Sequence, residues 1–296
     1  MRNSVSILIP VYNGKCTELV RQLVCQAESI NGLDYEIIVA EDGSTDEATV
    51  MANRVIETLP HCIYIIRKIN VGRAAIRNFL ASQAKYSWLL FIDCDMTVLN
   101  ENFLSEYLKS EGGDVVDGGV RIGGDAHQLK HNLRYLYEKD AEADHTATRR
   151  QQQPYHHLHT ANLMVRSDVM QSCPFDERFR RYGYEDVLLG KHLKLKGYKV
   201  SHIDNPMGFN TFEGNAEFVA KTEESLQTLN TFRDELRGYS NLLTVADGIH
   251  LGAVRSLLVA MFNIFGPLVR RNLCGKYPLL SLFKPYKLGY FLKLRK

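Results

Sequence analysis

Apolar and polar positions in residues 1–95 follow two alternating patterns. Short unbroken apolar runs predict β-strands, and longer stretches with an apolar residue every three or four positions predict α-helices. The predicted elements are, in chain order, a strand over 5–9, a helix over 16–30, a strand over 35–40, a helix that ends near 59, a strand over 63–67, a helix over 73–82 and a strand over 88–92. Strands that alternate with helices indicate a doubly wound α/β fold with a mostly parallel sheet.

The second half of the chain is less regular, because polar and glycine-rich stretches separate its elements. The predicted elements are a helix over 102–109, a strand over 114–122, a helix over 129–147, a strand over 160–166, a helix that begins at Ser167 or Asp168, a helix over 187–196, a strand over 198–203 and a helix over 216–236. The polar stretch 148–159, which contains Pro154, predicts a mobile loop.

The apolar run Trp88–Ile92 is followed by two aspartates, Asp93 and Asp95, with one residue between them. Such a run suits a strand buried on both faces of a parallel sheet, and ligands of these sheets bind beyond the carboxyl ends of the strands. Carboxylate oxygens favour Mg²⁺ or Mn²⁺ that bridges to the phosphates of a substrate. The pair therefore predicts a metal and phosphate site, with the alternative that both acids only end the strand and cap the next helix.

Two earlier loops at the same predicted edge carry residues suited to a nucleotide. Glu41 and Asp42 follow the second strand, where a carboxylate can accept hydrogen bonds from a base or a ribose. Asn70, Gly72 and Arg77 follow the third strand, where glycine permits close backbone approach and arginine suits phosphate oxygens. The alternatives are a helix-capping acid in the first loop and a solvated helix start in the second.

Glu185 and Asp186 stand at the start of a predicted helix, after a loop rich in glycine and aromatic residues. A carboxylate held at the mouth of a pocket can act as the general base for an attacking hydroxyl. The alternative needs no ligand, since two acids at a helix N-terminus also stabilise the helix dipole.

Three histidines, His156, His157 and His159, lie close together in the polar stretch. In an extended segment His157 and His159 share a face, as the ligands of a metal site do. Since no acid or thiol is near them in the sequence, histidines that line an acceptor pocket or pack against the fold are the favoured interpretation.

Charge is distributed unevenly along the chain. Residues 1–247 carry 27 basic and 34 acidic side chains, a net charge of −7, whereas residues 248–296 carry nine basic side chains and no acidic one. The apolar stretch 251–269 has the length of a membrane span but contains Arg255, Asn263 and Pro267. These features predict a basic amphipathic helical tail that binds a membrane surface through 250–296, with packing on the catalytic domain or on a second subunit as the alternative.

Cysteine content and charge limit the cellular compartment and the partners that the sequence predicts. Six cysteines without a C-x-x-C pair argue against a disulfide framework or a zinc site and for a reducing compartment. The acidic first part of the chain argues against nucleic acid as a partner. Together with the tail, this predicts a cytoplasmic protein located peripherally at the inner face of a membrane.

The motifs together resemble those of inverting glycosyltransferases of family 2. The resemblance runs from Ser4 to about Leu229 and rests on segments that occur in the order and spacing of that family. They are residues 6–13 (SILIPVYN), 41–46 (EDGSTD), 70–78 (NVGRAAIRN), 93–95 (DCD) and 183–186 (GYED). The resemblance implies the glycosyltransferase A fold, a Rossmann-like nucleotide-binding mixed sheet flanked by helices.

The resemblance also implies a donor site. Its nucleotide would be lined by Pro10, Tyr12, Asp42, Asn70 and Arg77. A nucleotide-sugar donor, in the first instance a uridine diphosphate (UDP) sugar, would be the substrate that these residues bind.

The same resemblance implies a catalytic centre. Asp93 and Asp95 would form the metal-binding pair, with Asp95 the more direct ligand of Mn²⁺ or Mg²⁺, and Asp186 would be the catalytic base, with Glu185 supporting the acceptor. The cation would neutralise the leaving diphosphate, while the base deprotonates an acceptor hydroxyl that inverts the anomeric carbon. One departure concerns the metal: many relatives carry a histidine downstream of the Glu-Asp pair, and Phe209 stands in its place.

The chain is therefore predicted to be a glycosyltransferase of polysaccharide biosynthesis that uses a glycan or a lipid-linked acceptor. Residues 1–95 would form the nucleotide-sugar half of a catalytic domain, 96–247 the acceptor and catalytic half, and 248–296 the tail. Homo-oligomerisation is left open.

Two other functions fit parts of the sequence. Residues 91–98 also resemble the first motif of haloacid-dehalogenase-type phosphatases, in which Asp93 would be the nucleophile and Asp95 the acid–base. That motif normally opens its domain, whereas here three β–α units precede it. A non-catalytic nucleotide-sugar binder is the third interpretation, and the presence of Asp93, Asp95 and Asp186 argues against it.

Overall fold

The structure is a computed structural model that describes residues 2–295, and Met1 and Lys296 lie outside the described residues. The described strands are β1 (Ser4–Val11), β2 (Asp34–Asp42), β3 (Cys62–Arg67), β4 (Trp88–Ile92), β5 (Met96–Val98), β6 (Val115–Asp117), β7 (Val120–Ile122), β8 (Asn162–Arg166), β9 (Val200–His202) and β10 (Met207–Phe209).

Helices connect and cover these strands. The α-helices are α1 (Thr17–Glu28), α2 (Glu47–Asn53), α3 (Arg73–Gln83), α4 (Phe103–Lys109), α5 (Leu133–Ala141), α6 (Ala147–Gln152), α7 (Ser167–Ser172), α8 (Glu185–Leu195), α9 (Asn215–Thr231), α10 (Arg233–Leu236), α11 (Asn241–Asp247), α12 (Gly252–Leu273) and α13 (Phe283–Leu294). Short 3₁₀ segments lie at Arg54–Thr58, Glu142–Asp144 and Leu280–Leu282.

Seven strands form the main sheet, in the order β3-β2-β1-β4-β8-β6-β9. The strands β1 to β4 are parallel to one another, β8 is antiparallel to both of its neighbours, and β9 is parallel to β6. The predicted fold class, a mixed sheet flanked by helices, is therefore confirmed.

Register and burial explain why the central strands are continuous apolar runs. Ile7 lies opposite Ile37 on one side and Leu90 on the other, and all three side chains are fully buried. Helices cover both faces of such a sheet, so no face is left for the polar half of an alternating pattern. Leu80 of α3 and Val169 of α7 belong to the core cluster on this sheet.

A second, three-stranded sheet has the order β5-β10-β7 and was not predicted. The single strand expected over 114–122 is wrong, because the chain leaves the main sheet at Gly118 and Gly119 and continues in the second sheet as β7. Gly119 has a φ of +82°, and a side chain there would overlap the guanidinium group of Arg150. A close approach that only glycine permits therefore breaks the strand.

The polar stretch expected to be a mobile loop is partly helical, and that prediction is wrong for residues 148–152, which belong to α6. The side chain of Thr146 caps this helix by accepting a hydrogen bond from the Arg149 backbone N–H, at 3.4 Å. Arg150 in its middle is 2% exposed and pairs with the fully buried Asp117, at 2.6 Å. A contact between residues 33 positions apart thus orders a segment that local composition describes as a loop.

Contacts divide the described residues into two compact units. The first comprises residues 2–123, 144–180 and 189–210, and it contains both sheets. The second comprises residues 124–143, 181–188 and 211–295 and is helical. Residues 248–295 belong to this second unit, whereas the divisions expected at residues 95 and 247 concern function and remain predictions.

The second unit has its own core. Phe283 and Tyr286 of α13 lie in one cluster with Leu133 of α5 and Phe218 of α9. Part of the basic tail therefore packs on the rest of its own unit, as the alternative interpretation of the tail proposed.

Candidate active site

The acidic loop after β2 is joined to the loop after β3 by one carboxylate. Asp42, which is almost fully buried, accepts hydrogen bonds from the backbone N–H groups of Val71 (2.9 Å) and Gly72 (3.0 Å). Gly43 has a φ of +68°, and a side chain there would overlap the backbone of Asn70. The two loops that the sequence predicted to meet are therefore in direct contact.

Glu41 has a different environment from its neighbour. It is fully buried, and its carboxylate accepts hydrogen bonds from the Tyr64 hydroxyl (2.6 Å), from Asn53 Nδ2 (3.1 Å) and from the Ser44 hydroxyl. Burial and the Glu41 carboxylate raise the pKa of Tyr64, so the phenol remains a donor. Glu41 thus supports the loop from beneath, and its expected contact with a donor remains a prediction.

Asn13 connects the end of β1 to the acidic loop, and it was not among the predicted site residues. Its Oδ1 accepts hydrogen bonds from the N–H groups of Thr45 (2.8 Å) and Asp46 (2.9 Å), and its own N–H donates to Ser44 Oγ (2.9 Å). Its φ of +53° is one that asparagine tolerates, so an asparagine before a glycine was the available signal. The preceding Tyr12 is 52% exposed, which leaves its ring accessible to a ligand.

Arg77 holds the first of the two aspartates after β4. Arg77 Nη2 donates to Asp93 Oδ1 at 2.7 Å, and the arginine side chain is only 2% exposed. Burial opposes the ionisation of Asp93, but the charges of Arg77 and Arg73 outweigh it, so the pKa of Asp93 lies below its usual value. Asp93 is therefore charged at neutral pH, and the expected role of Arg77 in lining the nucleotide remains a prediction.

The chemistry of the aspartate pair fits a hard divalent cation. Asp95 is exposed, and Mg²⁺ or Mn²⁺ needs only one or two protein carboxylates when phosphates and water complete its shell. Within residues 2–295, no group of three or more histidine, cysteine or acidic side chains could hold a metal. Phe209 lies opposite Met96, the residue after Asp95, and its phenyl ring supplies no ligand there.

The Glu-Asp pair lies in the second unit, at the first two positions of α8. Before it, Gly183 has a φ of +94° and Tyr184 a φ of +71°. A side chain at position 183 would approach Ser225 Cβ to 2.9 Å, so glycine is required there. Positive φ at a tyrosine is uncommon and costs energy, and such strain concentrates at functional sites.

The carboxylates of this pair differ in exposure. Glu185 is buried, whereas Asp186 is half-buried and accepts a hydrogen bond from the Val187 backbone N–H at 2.7 Å. The Tyr184 carbonyl accepts from Leu188 N–H at 3.1 Å and so continues into the helix. Burial raises the pKa of Tyr184 to about 12, so its hydroxyl stays protonated beside these acids.

The structure brings together the predicted residues of the first unit at one edge of the main sheet. The adjacent strands β2, β1 and β4 end there with Asp42, Val11 and Ile92, so Tyr12 and the pair Asp93 and Asp95 follow at the same edge. In parallel sheets this edge is where ligands bind. Asp117 ends β6 at the same edge and was not among the predicted site residues, although an acid followed by glycines after an apolar run was a signal.

Comparison with known proteins shows the family. The sequence model of glycosyl transferase family 2 matches residues 6–173. Chondroitin synthase of Pasteurella multocida is 25% identical over 299 residues, which cover 88% of this chain and 30% of that protein. Poly(ribitol-phosphate) beta-glucosyltransferase of Bacillus spizizenii is 35% identical over 122 residues, which cover 40% of this chain and 19% of that protein. The chain thus spans less than a third of the length of either relative.

Solved structures show the same fold. The mannosyltransferase PcManGT from Pyrobaculum calidifontis, solved with GDP-Man and Mn²⁺, has a TM-score of 0.57 at 13% identity, over 98% of this chain and 86% of that one. TarS of S. aureus, solved with UDP, has a TM-score of 0.51 at 16% identity, over 99% and 90%. The Asp93 and Asp95 pair lies within the family match, which leaves the phosphatase alternative without support. The chain belongs to glycosyl transferase family 2.

Proposed function

We propose that this glycosyltransferase moves a sugar from a nucleotide-diphosphate donor, a UDP-sugar in the first instance, to a hydroxyl of a glycan or lipid-linked acceptor. The observation that carries the proposal is the edge of the main sheet, where Asp42 at the end of β2 holds the backbone of Gly72. Asp93 and Asp95 follow β4 at the same edge, with β1 between the two strands. The relatives named for chondroitin and poly(ribitol-phosphate) support polysaccharide synthesis.

The donor would lie across the ends of β2, β1 and β4. The exposed ring of Tyr12 offers a face for the base, and the exposed Asn70 offers its side-chain amide to the ribose or the phosphates. Asp42 acts here by holding that loop. Pro10 ends the buried run of β1 and directs the chain to Tyr12.

Asp93 and Asp95 would hold Mn²⁺ or Mg²⁺, because both supply oxygen and Arg77 keeps Asp93 ionised. When bound, the cation would neutralise the charge that develops on the leaving diphosphate. Arg77 stays fixed against Asp93 and orients its second oxygen.

Asp186 would take the proton of the acceptor hydroxyl, and Glu185 would hold the acceptor beside it. A base placed opposite the leaving group gives a single displacement, and the anomeric carbon inverts. Asp186 is half-buried in the first turn of α8, where the helix dipole favours the negative charge that a base requires.

The protein would work at the cytoplasmic face of a membrane. Among residues 2–295, α12 is the one helix long and apolar enough to cross a membrane by length and composition. One side of α12 packs on α13 within the second unit, where the Phe262 ring lies 5.5 Å from that of Tyr286. Protein buries little of the apolar length of α12, so its exposed side chains are available to a lipid surface.

Calorimetric titration of UDP, with and without Mn²⁺, tests the donor and metal sites. We expect Mn²⁺ to tighten binding at least about tenfold, since a cation held by Asp93 and Asp95 would attract the negatively charged diphosphate. Asp95→Asn should lose this enhancement and keep metal-free binding. Asp34→Asn, at the amino end of β2, is the matched control and should behave as wild type. Absence of UDP binding in every condition would refute the donor site.

A further inference from the structure

The loop after β1 lies directly against the residue between the two aspartates. Cys94 separates Asp93 from Asp95 in the sequence, and Gly14 lies two residues beyond Tyr12. A Cβ atom on Gly14 would lie only 2.7 Å from Cys94 Sγ, closer than real Cβ atoms come to any heavy atom. Gly14 does not have a left-handed φ. Lack of space beside the thiol, and not backbone conformation, therefore requires glycine at this position.

A fully buried asparagine binds the same glycine. Asn53 Nδ2 donates hydrogen bonds to the Gly14 carbonyl (2.8 Å) and to Glu41 Oε1 (3.1 Å). Asn53 Oδ1 accepts a hydrogen bond from the backbone N–H of Cys16 at 3.1 Å. The asparagine side chain is 0% exposed, so loss of any of these bonds would leave a buried polar group without a partner. The position of Gly14 is therefore fixed by the fold.

The contact joins two parts of the proposed donor site. The loop after β1 carries the exposed Tyr12 ring, which is offered to the base, and the loop after β4 carries the aspartates, which are offered to the cation. The strands β1 and β4 are neighbours in the main sheet, so the two loops begin side by side. A displacement of Cys94 moves the backbone of both flanking aspartates. The space at Gly14 therefore sets how closely the two loops approach each other.

Cys94 is suited to packing and not to binding the cation. Thiol groups prefer soft metals, whereas Mg²⁺ and Mn²⁺ prefer oxygen ligands. Its sulfur is the atom nearest to Gly14, and its Cβ lies farther from the same point, at 3.8 Å. The residue is half-buried, and it follows β4 at the edge of the sheet where ligands bind. The contact therefore acts through shape, at the edge of the site.

We propose that Cys94, packed against Gly14, is a positioning residue that holds the metal-binding aspartates at a fixed place relative to the base-binding loop. Asn53 is a second positioning residue, since it holds Gly14. This inference rests on the proposed function, because it concerns the donor and the cation of that function. Binding of UDP and binding of Mn²⁺ are then coupled through the contact, and a disturbance of the contact lowers the coupling without removing a ligand group.

An exchange of bulk across the contact tests the inference. Gly14→Ala adds a methyl group that must displace the thiol, and Cys94→Ala removes the sulfur atom. In the double variant the added Cβ would lie 3.8 Å from the Cβ of residue 94, which is an ordinary van der Waals distance. Exchanges that conserve volume are the ones that packed sites tolerate best. The double variant should therefore restore what Gly14→Ala loses.

Calorimetric titration of UDP, with and without Mn²⁺, measures the coupling. In the wild type we expect Mn²⁺ to raise UDP affinity at least about tenfold, and in Gly14→Ala about twofold or less. Affinity without metal should stay within about twofold of wild type in Gly14→Ala. The double variant should regain most of the Mn²⁺ enhancement. Thermal unfolding of each variant separates this effect from a general loss of stability.

The chain offers a matched control for each substitution. A Cβ atom at Gly214 would meet nothing within 4 Å, and Cys25 is an exposed cysteine. Gly214→Ala and Cys25→Ala should therefore bind UDP as the wild type does, with and without Mn²⁺. Cys94→Leu is the second variant should Gly14→Ala fail to fold. Its side chain extends beyond the position of Sγ, where Gly14 leaves no room, so it should also lose the Mn²⁺ enhancement.

The outcomes separate this inference from the donor proposal. A full Mn²⁺ enhancement in Gly14→Ala would overturn the inference, and so would an equal loss in Gly14→Ala and the double variant. Equal losses of affinity with and without metal would also overturn it, because they would place the effect in the base-binding loop alone. In each of these cases the wild type still binds UDP. A wild type that binds no UDP in either condition would refute the donor site and this inference together.

Discussion

Adjacent carboxylates in this protein have different tasks because their partners differ. Glu41 bonds to side chains beneath the loop, whereas Asp42 bonds to the backbone of the neighbouring loop. The same contrast separates the buried Glu185 from the half-buried Asp186. In each pair one acid is enclosed by the fold, whereas Asp42 contacts the backbone of the neighbouring loop and Asp186 is the more exposed of its pair.

Asp186→Asn separates chemistry from donor binding. The amide keeps the size of the side chain but cannot accept a proton, so transfer should fall by about 10² to 10⁴. Affinity for UDP should stay within about twofold, since the base acts on the acceptor. Initial rates of sugar transfer and calorimetry measure the two effects. A large loss of UDP affinity in this variant would remove Asp186 from the role of base.

The low pKa of His145 predicts how the free energy of unfolding depends on pH. Its pKa is near 4 in the folded protein and about 6.5 in an unfolded chain, so the unfolded state takes up a proton first as the pH falls. The free energy of unfolding should therefore decrease from about pH 7 to about pH 4, and by less in His145→Gln. Urea unfolding across this range measures the difference. His145 faces His157, His159, Arg150 and Asp144, and an unchanged pH slope in the variant would contradict its low pKa.

Helix α12 has two unlike sides. Gly266 and Leu273 are buried, and Phe262 packs on Tyr286 of α13. Large apolar side chains elsewhere on the helix are exposed: Val254, Leu257, Met261, Ile264, Phe265 and Leu268. They recur every three or four residues, so they form one stripe, and an exposed apolar stripe marks an interaction surface. Residues 248–296 contain no acid that would repel an anionic membrane.

Replacing Leu257, Ile264 and Leu268 by glutamine should abolish flotation with vesicles of anionic lipid, because it removes apolar area that would enter the lipid. The exposed Met51, changed to glutamine, is the matched control on α2. Deletion of 250–296 should also release the protein, but it removes Phe283 and Tyr286 from the core of the second unit, so the substitutions are the sharper test. Undiminished flotation of the triple variant would contradict membrane binding through this stripe.

Across the whole molecule, the acidic side chains lie in residues 1–247, and the tail 248–296 carries only basic ones. Some of these basic side chains form ion pairs with acids of the second unit. Arg270 pairs with Glu223 and Arg295 with Asp247, each at 2.8 Å, within the second unit. The tail therefore presents fewer free cations than its nine basic residues indicate. Under the proposed membrane binding, attraction to anionic lipid would act beside the apolar stripe of α12 and would weaken with added salt.

Local pattern was sufficient for the first half of the fold and for the position of its acids. The alternation of apolar runs with helical periodicity predicted β1 to β4 within a few residues, and parallel topology required Asp42, Asp93 and Asp95 to share an edge. These features follow from the sequence because each strand and helix is encoded by consecutive residues, and the topology of parallel strands leaves little choice.

Tertiary contacts decided the rest. Arg150 becomes helical and buried through Asp117, Glu41 is enclosed by Tyr64 and Asn53, and the strand over 114–122 breaks where Gly119 meets Arg150. Each outcome depends on a pair of residues that are 12 to 33 positions apart. Periodicity describes neighbours along the chain and not such pairs, so the contact of Gly14 with Cys94, the support of Glu41 and the packing of the tail were visible only once the chain was folded.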